Sequence, residues 1–444
     1  IAFFVKRGGK RKSDAVVYHA DLWGRREAKY GWLDTHTLKN TKWSKLKPSS
    51  PSYLFVPRDN ALEALYQRFP SVPGIFPVNS VGIVTARDKL TIGWSAEEIW
   101  QRVRVFSQMD PELAREGYKL GKDAQDWKIS LSQKDLLDSG PTRSKVVPVL
   151  YRPFDVRSTY HTGRARGFIC RPRSEVMGHM LAGENLALIM PKRVEHVGTW
   201  QHAFVTDVIS EHVTVSLKTI DYHFPLHLYP TIGPDTLFAH LEPAERQPNL
   251  APELIQALAA AYGREPGPEE IFHYIYAVLY APAYREKYAE FLRMDFPRIP
   301  FTSDGALFLK TARLGERLTG LHLLTSSQLD PPICRFEGRG DNRVGKGKKE
   351  GMRYDPAEQR VYINTTQHFG PVADAVWTYR IGGYQVCEKW LKDRRERRLD
   401  LDDIRTYCRI VTALERTMDI QEEINLLYRE IEKETLPMTG VSKA

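Results

Sequence analysis

Cysteine is scarce, and its spacing forms no pair. Cys170, Cys334, Cys387 and Cys408 are the four in 444 residues, with no Cys-x-x-Cys among them. That excludes a disulfide framework or a structural zinc site and fits a reducing cytoplasm. Long apolar runs are also missing, so no segment reads as a membrane span, and no signal-peptide pattern opens the chain. Internal repeats are absent. The histidines His196, His202, His212, His223 and His227 are spread without ligand spacing, which speaks against a metal centre. Acidic residues are outnumbered: net charge is +9 with a pI near 9.1, a balance suited to a polyanionic partner. What is present in quantity is core material. Hydrophobic content of 42% and aromatic content of 11% are those of a folded protein large enough for two or three domains.

The chain opens on Ile-Ala-Phe-Phe-Val-Lys, without Met and inside a strand pattern, which predicts a piece of a longer polypeptide. Residues 1–6 and 15–20 read as strands around a polar loop, residues 22–33 as a helix, and 53–56 as a short strand. Six prolines between Pro48 and Pro77 suggest an extended linker over residues 58–80. Ser95 and Glu98 form a capping box ahead of a helix over 96–107. Residues 81–250 then read as mainly β structure, with apolar runs at 186–190, 203–208 and 224–229. From 251 to 436 the pattern is helical: 252–262 closing on Gly263, 268–280, 306–324, and one or two helices over 402–434. Residues 338–351 form a basic, glycine-rich loop before a strand at 360–364, and 437–444 read as a frayed tail.

The most pointed local signal is the double-glycine turn Gly382-Gly383 feeding a cationic helix. At 100° per residue Val386, Cys387, Trp390 and Leu391 share one arc, while Lys389, Lys392 and Arg395 fall opposite. An apolar back and a basic front suit a polyanion, and also many ordinary surface helices. Two enzymatic patterns compete. Phe336-Glu-Gly-Arg-Gly340 fits the glycine motif that cradles S-adenosylmethionine, and Asp330-Pro-Pro-Ile333 approaches the motif that holds a flipped adenine. Their order is reversed, Ile replaces the aromatic, and a Lys/Arg loop follows where a helix should, so a stand-alone methyltransferase is the alternative reading. Asp14 with Glu27-Ala-Lys29 echoes a nuclease metal site but lies in a helical pattern. More persuasive are the basic residues interleaved with aromatics. Arg152, Arg157, Arg164, Arg166, Arg171, Arg173, Lys192 and Arg193 stand in the β region, and Arg339, Arg343, Lys346, Lys348 and Lys349 in the glycine loop. Arginine forks suit guanine edges and phosphates, so the set favours polyanion binding even where single members pair with a local carboxylate.

Seven segments in order carry a family resemblance. They are Val81-Gly-Ile-Val-Thr-Ala-Arg-Asp88, Tyr151-Arg-Pro-Phe-Asp-Val-Arg157, Arg171-Pro-Arg-Ser-Glu-Val-Met177 and Phe224-Pro-Leu-His-Leu-Tyr-Pro230. Glu270-Ile-Phe-His-Tyr-Ile-Tyr-Ala-Val-Leu279, Asp295-Phe-Pro-Arg-Ile-Pro300 and Ile381-Gly-Gly-Tyr-Gln-Val-Cys-Glu-Lys-Trp-Leu-Lys392 complete the set. Together they resemble the C-terminal part of type ISP restriction–modification enzymes, which join nuclease, ATP-driven translocase, adenine-N6 methyltransferase and target recognition domain in one polypeptide. The resemblance implies an α+β fold: residual edge strands of a Rossmann-like methyltransferase sheet in residues 1–57, then a mixed β-rich and helical DNA target recognition domain. It implies double-stranded DNA as partner, docking to upstream methyltransferase and motor domains, and no membrane. The catalytic motif would lie upstream, so no catalytic residue is assigned here. No cofactor would be bound by this piece; S-adenosylmethionine, ATP and magnesium would belong to the upstream domains. The β-region arginines, Arg152 and Arg157 foremost, are expected to read bases, and the glycine loop with the cationic helix to hold phosphates. Thr85 and Arg87, with Asp88, are expected near the extruded base.

Overall fold

The computed structural model describes residues 4–5, 15–48, 50, 53–57, 59–195, 198–216, 218–230, 246–347 and 351–438. They divide into two compact units, within residues 1–67 and 68–444. In the first, Val17–His19 pairs antiparallel with Ser44–Leu46, and two helices, Arg26–Thr35 and Asn60–Gln67, accompany this two-stranded ribbon. A Rossmann-like sheet is not seen among the described residues. Residues 53–56 are irregular, with a bend at 55–56 in place of the expected strand, and most of the opening segment lies outside the described residues. Within the expected linker, 58–80, the described residues include two short helices. Asn60–Gln67 is a helix of the first unit, while Val72, Ile75 and Phe76 are fully buried in the second. Proline misled here because Pro73 occupies the first turn of the short helix Val72–Ile75, where a missing N–H costs nothing.

Among the described residues the second unit carries three sheets of three or four strands, besides two two-stranded pairings. An antiparallel sheet runs Ser80–Val81, Asp221–Pro225, Ala187–Pro191, Phe204–Thr206. Asp155–Tyr160 and Ile209–Ser210 flank Val146–Arg152 in another, and Arg335–Glu337, His368–Gly370, Arg360–Tyr362 and Arg353–Asp355 make the last. The β-rich half is less purely β than its sequence suggests, since Ala96–Gln108, Pro111–Gly117 and Ile129–Asp138 precede its first long strand. Ser95 caps the first of these by accepting from the Glu98 N–H at 3.2 Å. The reciprocal Glu98 contact goes to the Trp94 N–H, one residue earlier than a strict box. Ile99, Val103 and Phe106 on this helix pack with Trp127, Val149 and Phe168.

The β-rich and helical halves share one core. Pro268–Tyr280 is buried on nearly every face and lies beside Gly305–His322 and the 31-residue helix Leu401–Ile431. His322 stacks on Phe204 with centroids 5.4 Å apart and meets Phe154 edge-on. Its ring nitrogens bond the Tyr276 hydroxyl (2.6 Å) and Thr417 Oγ1 (2.9 Å), and burial pushes its pKa down to about 3. The ring is therefore a neutral core member that ties strand, loop and three helices together. No helix among the described residues is long and apolar enough to cross a membrane.

The double-glycine turn is a further tie. Arg380–Ile381 and Tyr384–Gln385 form a hairpin whose tip is inserted beneath the β-rich half. The Gly382 N–H donates to Gln201 O (2.7 Å) and the Gly383 N–H to Val215 O (2.9 Å). Gly382 has φ +57, and a Cβ there would lie 1.8 Å from Val215 O. Only glycine fits. We expect Gly382→Ala to lose about 2 kcal/mol or more of stability from overlap and backbone strain. Gly117→Ala, whose added carbon meets nothing within 4 Å, should be close to neutral. Urea unfolding of both variants checks this, and equal losses would contradict it.

Candidate nucleic-acid interface

Charge is sorted into two populations by what each side chain touches. The interior one centres on Asp155, which is 1% exposed at the start of the strand Asp155–Tyr160. Arg157 donates to its Oδ2 through Nε (3.0 Å) and Nη2 (2.7 Å), and Arg394 Nη2 donates to Oδ1 at 3.1 Å. Arg394 Nε continues to Asp403 at 3.0 Å, while Arg157 also approaches Asp393, which Lys389 holds at 2.5 Å. Aromatic faces close the site. Trp94 lies under Arg157 (3.9 Å), Arg397 (4.1 Å) and Arg394 (4.9 Å), and Trp390 under Arg394 (3.4 Å). Burial pushes the Asp155 carboxyl up, but Arg394 and Arg157 outweigh it and hold the pKa below its ordinary value.

A second interior cation adjoins these. Arg152 is 9% exposed, paired with Glu211 at 3.3 Å and stacked on Tyr151 at 4.0 Å. Glu211 also accepts from the Val213 N–H (2.9 Å) and contacts His212. The Tyr151 hydroxyl donates to Asp88 at 2.8 Å, and the hydroxyl of Thr85, 1% exposed, donates to the same carboxylate. Here the structure departs from the sequence reading. Arg152 and Arg157 are nearly enclosed and ion-paired inside the protein, with Arg152 Nε left without a partner, and Thr85 is enclosed beside them. The reason is desolvation: a guanidinium set this deep must be matched by carboxylates, and Glu211, Asp155 and Asp393 match it. The expected helix face is divided too. Val386, Cys387, Trp390 and Leu391 are buried as the spacing predicts, and Lys392 and Arg395 are exposed, but Lys389 is spent on Asp393.

The exterior population is smaller than the sequence suggests. Arg164 pairs with Asp138 at 2.9 Å, Arg171 with Asp126, Lys192 with Asp295 at 3.8 Å, and Lys346 with Glu396 at 3.1 Å. These are exposed pairs that water or a phosphate exchanges at little cost. Arg87 is half-buried over Trp127, with Nη2 on Lys122 O at 2.8 Å. Lys348 and Lys349 lie outside the described residues. Arg166, Arg173, Arg193, Arg343, Lys392 and Arg395 make no ion pair among the described residues. Arg166 and Arg173 share with Arg171 a cavity of about 320 Å³ at the start of the helix Ser174–Leu181. Arg173 has φ +55, and its Nε is enclosed without an acceptor. Three guanidinium groups and a helix N-terminus around one hollow suit an anion, which would have to compete with Asp126, already paired with Arg171, and with Glu175 in the same wall.

Of a further group, sequence singles out Arg339 alone, as part of the glycine loop. Arg335, Arg339 and Arg405 line a second groove of about 680 Å³ with Phe336, Leu401 and Ile404. The glycine motif lies on its edge, yet no helix follows Gly340, and Gly338 and Gly340 rest against Thr366 and Gln367. S-adenosylmethionine does not fit the motif's requirement for a strand-to-helix turn, and no step through it is assigned here. Asp14 of the nuclease pattern lies outside the described residues, and Glu27 and Lys29 stand on a helix that buries no residue.

The profile of the type ISP C-terminal specificity domain matches residues 74–423. The chain belongs to that family. Among curated proteins none matches. Solved structures share the fold. The cryoEM structure of a DrdV–DNA complex is 22% identical with TM-score 0.67, over 90% of this chain and 42% of that one. A nuclease-deletion mutant of the type ISP restriction–modification enzyme LlaGI, in complex with a DNA substrate mimic, is 19% identical with TM-score 0.63, over 93% and 33%. The ATP-dependent type ISP enzyme LlaBIII bound to DNA is 16% identical with TM-score 0.62, over 86% and 25%. The chain therefore spans less than half the length of these chains.

The interior ion cluster has a direct consequence. Asp155→Asn leaves Arg157 and Arg394 under-compensated and should cost about 3 kcal/mol or more, whereas Lys346→Ala should cost less than about 1 kcal/mol. Because the folded pKa of Asp155 is depressed, its contribution is present above the unfolded value near ~3.9 and is lost as pH falls through the folded one. Denaturant unfolding should show the gap between wild type and Asp155→Asn narrowing only in acid. A gap that is small at neutral pH would contradict the assignment.

Proposed function

We propose that this chain is the DNA sequence-recognition module of a single-polypeptide restriction–modification enzyme and directs adenine-N6 methylation by a methyltransferase core of the same polypeptide. The observation that carries the reading is the set of arginines with no ion pair among the described residues, Arg166 and Arg173 at their centre. The family membership and the DNA in the similar structures support it. On this reading residues 1–57 close the methyltransferase domain, and upstream domains supply S-adenosylmethionine, ATP and magnesium. A methyltransferase core recognises little beyond the base it modifies, so discrimination falls to a second module. Base-edge contacts supply about 1–3 kcal/mol per bidentate pair, and phosphate contacts supply affinity and register.

The hollow at Arg166, Arg171 and Arg173 takes a backbone phosphate on this account. Each neutralised phosphate releases counterions, so affinity for duplex DNA should fall steeply with salt. Arg166→Ala with Arg173→Ala should weaken binding to all sequences alike and reduce the log–log salt slope by about 2, at roughly 0.9 per contact. Anisotropy titrations of a labelled duplex across a salt series measure both. An unchanged slope in the double variant would remove this hollow from the interface. Salt-independent binding of the wild-type chain would remove DNA recognition altogether.

A further inference from the structure

We propose that the groove bearing Arg335 and Arg339 reads guanine-bearing base edges of duplex DNA, with these two arginines setting specificity. The inference rests on the DNA-recognition reading above and names where the reading takes place. Arg335 and Arg339 are exposed and make no ion pair among the described residues. Glu337, between them, is turned to His368 at 3.4 Å. Arg405 across the groove meets, among the described residues, the exposed Asp402 at 3.4 Å, a contact easily exchanged. Three forks thus face one groove with their donors available.

Their mounting is rigid. Gly338 has φ +98, and a Cβ there would lie 2.2 Å from Thr366 O, so the turn lies directly on the neighbouring backbone. The Thr366 hydroxyl donates to Arg339 O at 2.9 Å. Gln367, 2% exposed, accepts from the Asn342 N–H (2.8 Å) and donates to Asn342 Oδ1 (2.7 Å). The Leu399 N–H donates to Asn342 O (2.9 Å), which fixes the loop to the start of the long helix. Both amide side chains that would otherwise suit adenine are consumed in holding the loop. What remains facing outward is arginine, whose planar fork matches the O6 and N7 acceptors of guanine.

The lining separates this groove from a phosphate cradle. Leu401 is 78% exposed, and Phe336 and Ile404 stand beside it. Apolar surface gains nothing against phosphate but matches thymine methyls and base edges. The hollow at Arg166 and Arg173 has no large apolar side chain in its wall. The glycine motif that imitates a cofactor loop is, on this reading, a fixed arginine mount.

The experiment is selection of the 444-residue chain on duplexes with a randomised centre, followed by sequencing, for wild type, Arg335→Ala, Arg339→Ala and Arg339→Lys. Wild type should enrich a motif containing guanine. Each variant should lose preference at a guanine position by about ten-fold or more while keeping affinity for unrelated sequence. Arg339→Lys should keep the wild-type salt slope yet lose the preference, because lysine retains the charge without the fork. A motif unchanged in all three variants overturns the inference and leaves DNA recognition standing. Wild-type protein that enriches no motif overturns both.

Discussion

A single enclosed carboxylate organises the charge of this molecule. Asp155 accepts from Arg157 on its own strand and from Arg394, which lies 239 residues away in sequence. Arg394 in turn reaches Asp403 near the start of the long helix. Removing these charges from water is costly, and their mutual attraction offsets that cost only if every partner is in place. The β-rich half, the cationic helix and the long helix are therefore fixed to one another by a contact that tolerates no missing member. Trp94 and Trp390 complete the enclosure with flat faces that guanidinium groups favour.

That constraint decides which arginines remain available. A cation inside must be matched, so Arg152, Arg157 and Arg394 serve the architecture. A cation outside needs no protein partner because water solvates it, and Arg166, Arg335 and Arg339 are of this kind, whereas Arg173 is half-buried with its Nε enclosed. The same residue type in neighbouring boxes thus has opposite uses. Arg157 and Arg164 are seven residues apart, yet the first holds the core and the second meets only exposed or distant carboxylates. Net positive charge is an attribute of the whole chain, whereas its presentation depends on the fold.

Local structure was legible where local chemistry determines it. Pro252–Tyr262 and Pro268–Tyr280 begin at proline as the sequence indicates, the first closes on Gly263 with φ +68, and the buried arc at Val386, Cys387, Trp390 and Leu391 matches its spacing. The family resemblance drawn from seven short boxes agrees with the match over residues 74–423. What was not legible depends on distant partners. Nothing near Arg152 in sequence announces Glu211, and nothing near Asp155 announces Arg394. The strand Arg335–Glu337 pairs with His368–Gly370 beyond a long loop, so sequence shows Arg339 only as part of a basic loop and gives no sign of Arg335 and Arg405 beside it. Prolines at 70–77 suggested a linker because their helix-initiating placement depends on burial that only the tertiary structure supplies.

The central claim is that exposure without an internal partner, and not position in a conserved-looking box, marks the arginines that meet DNA. Arginine-selective chemical footprinting with and without saturating duplex tests it most directly. Arg166, Arg173, Arg335 and Arg339 should react in the free chain and be protected in the complex, while Arg152 and Arg394 should be unreactive in both. Full reactivity of those four in a DNA-saturated sample, or protection confined to Arg152 and Arg157, would contradict the account.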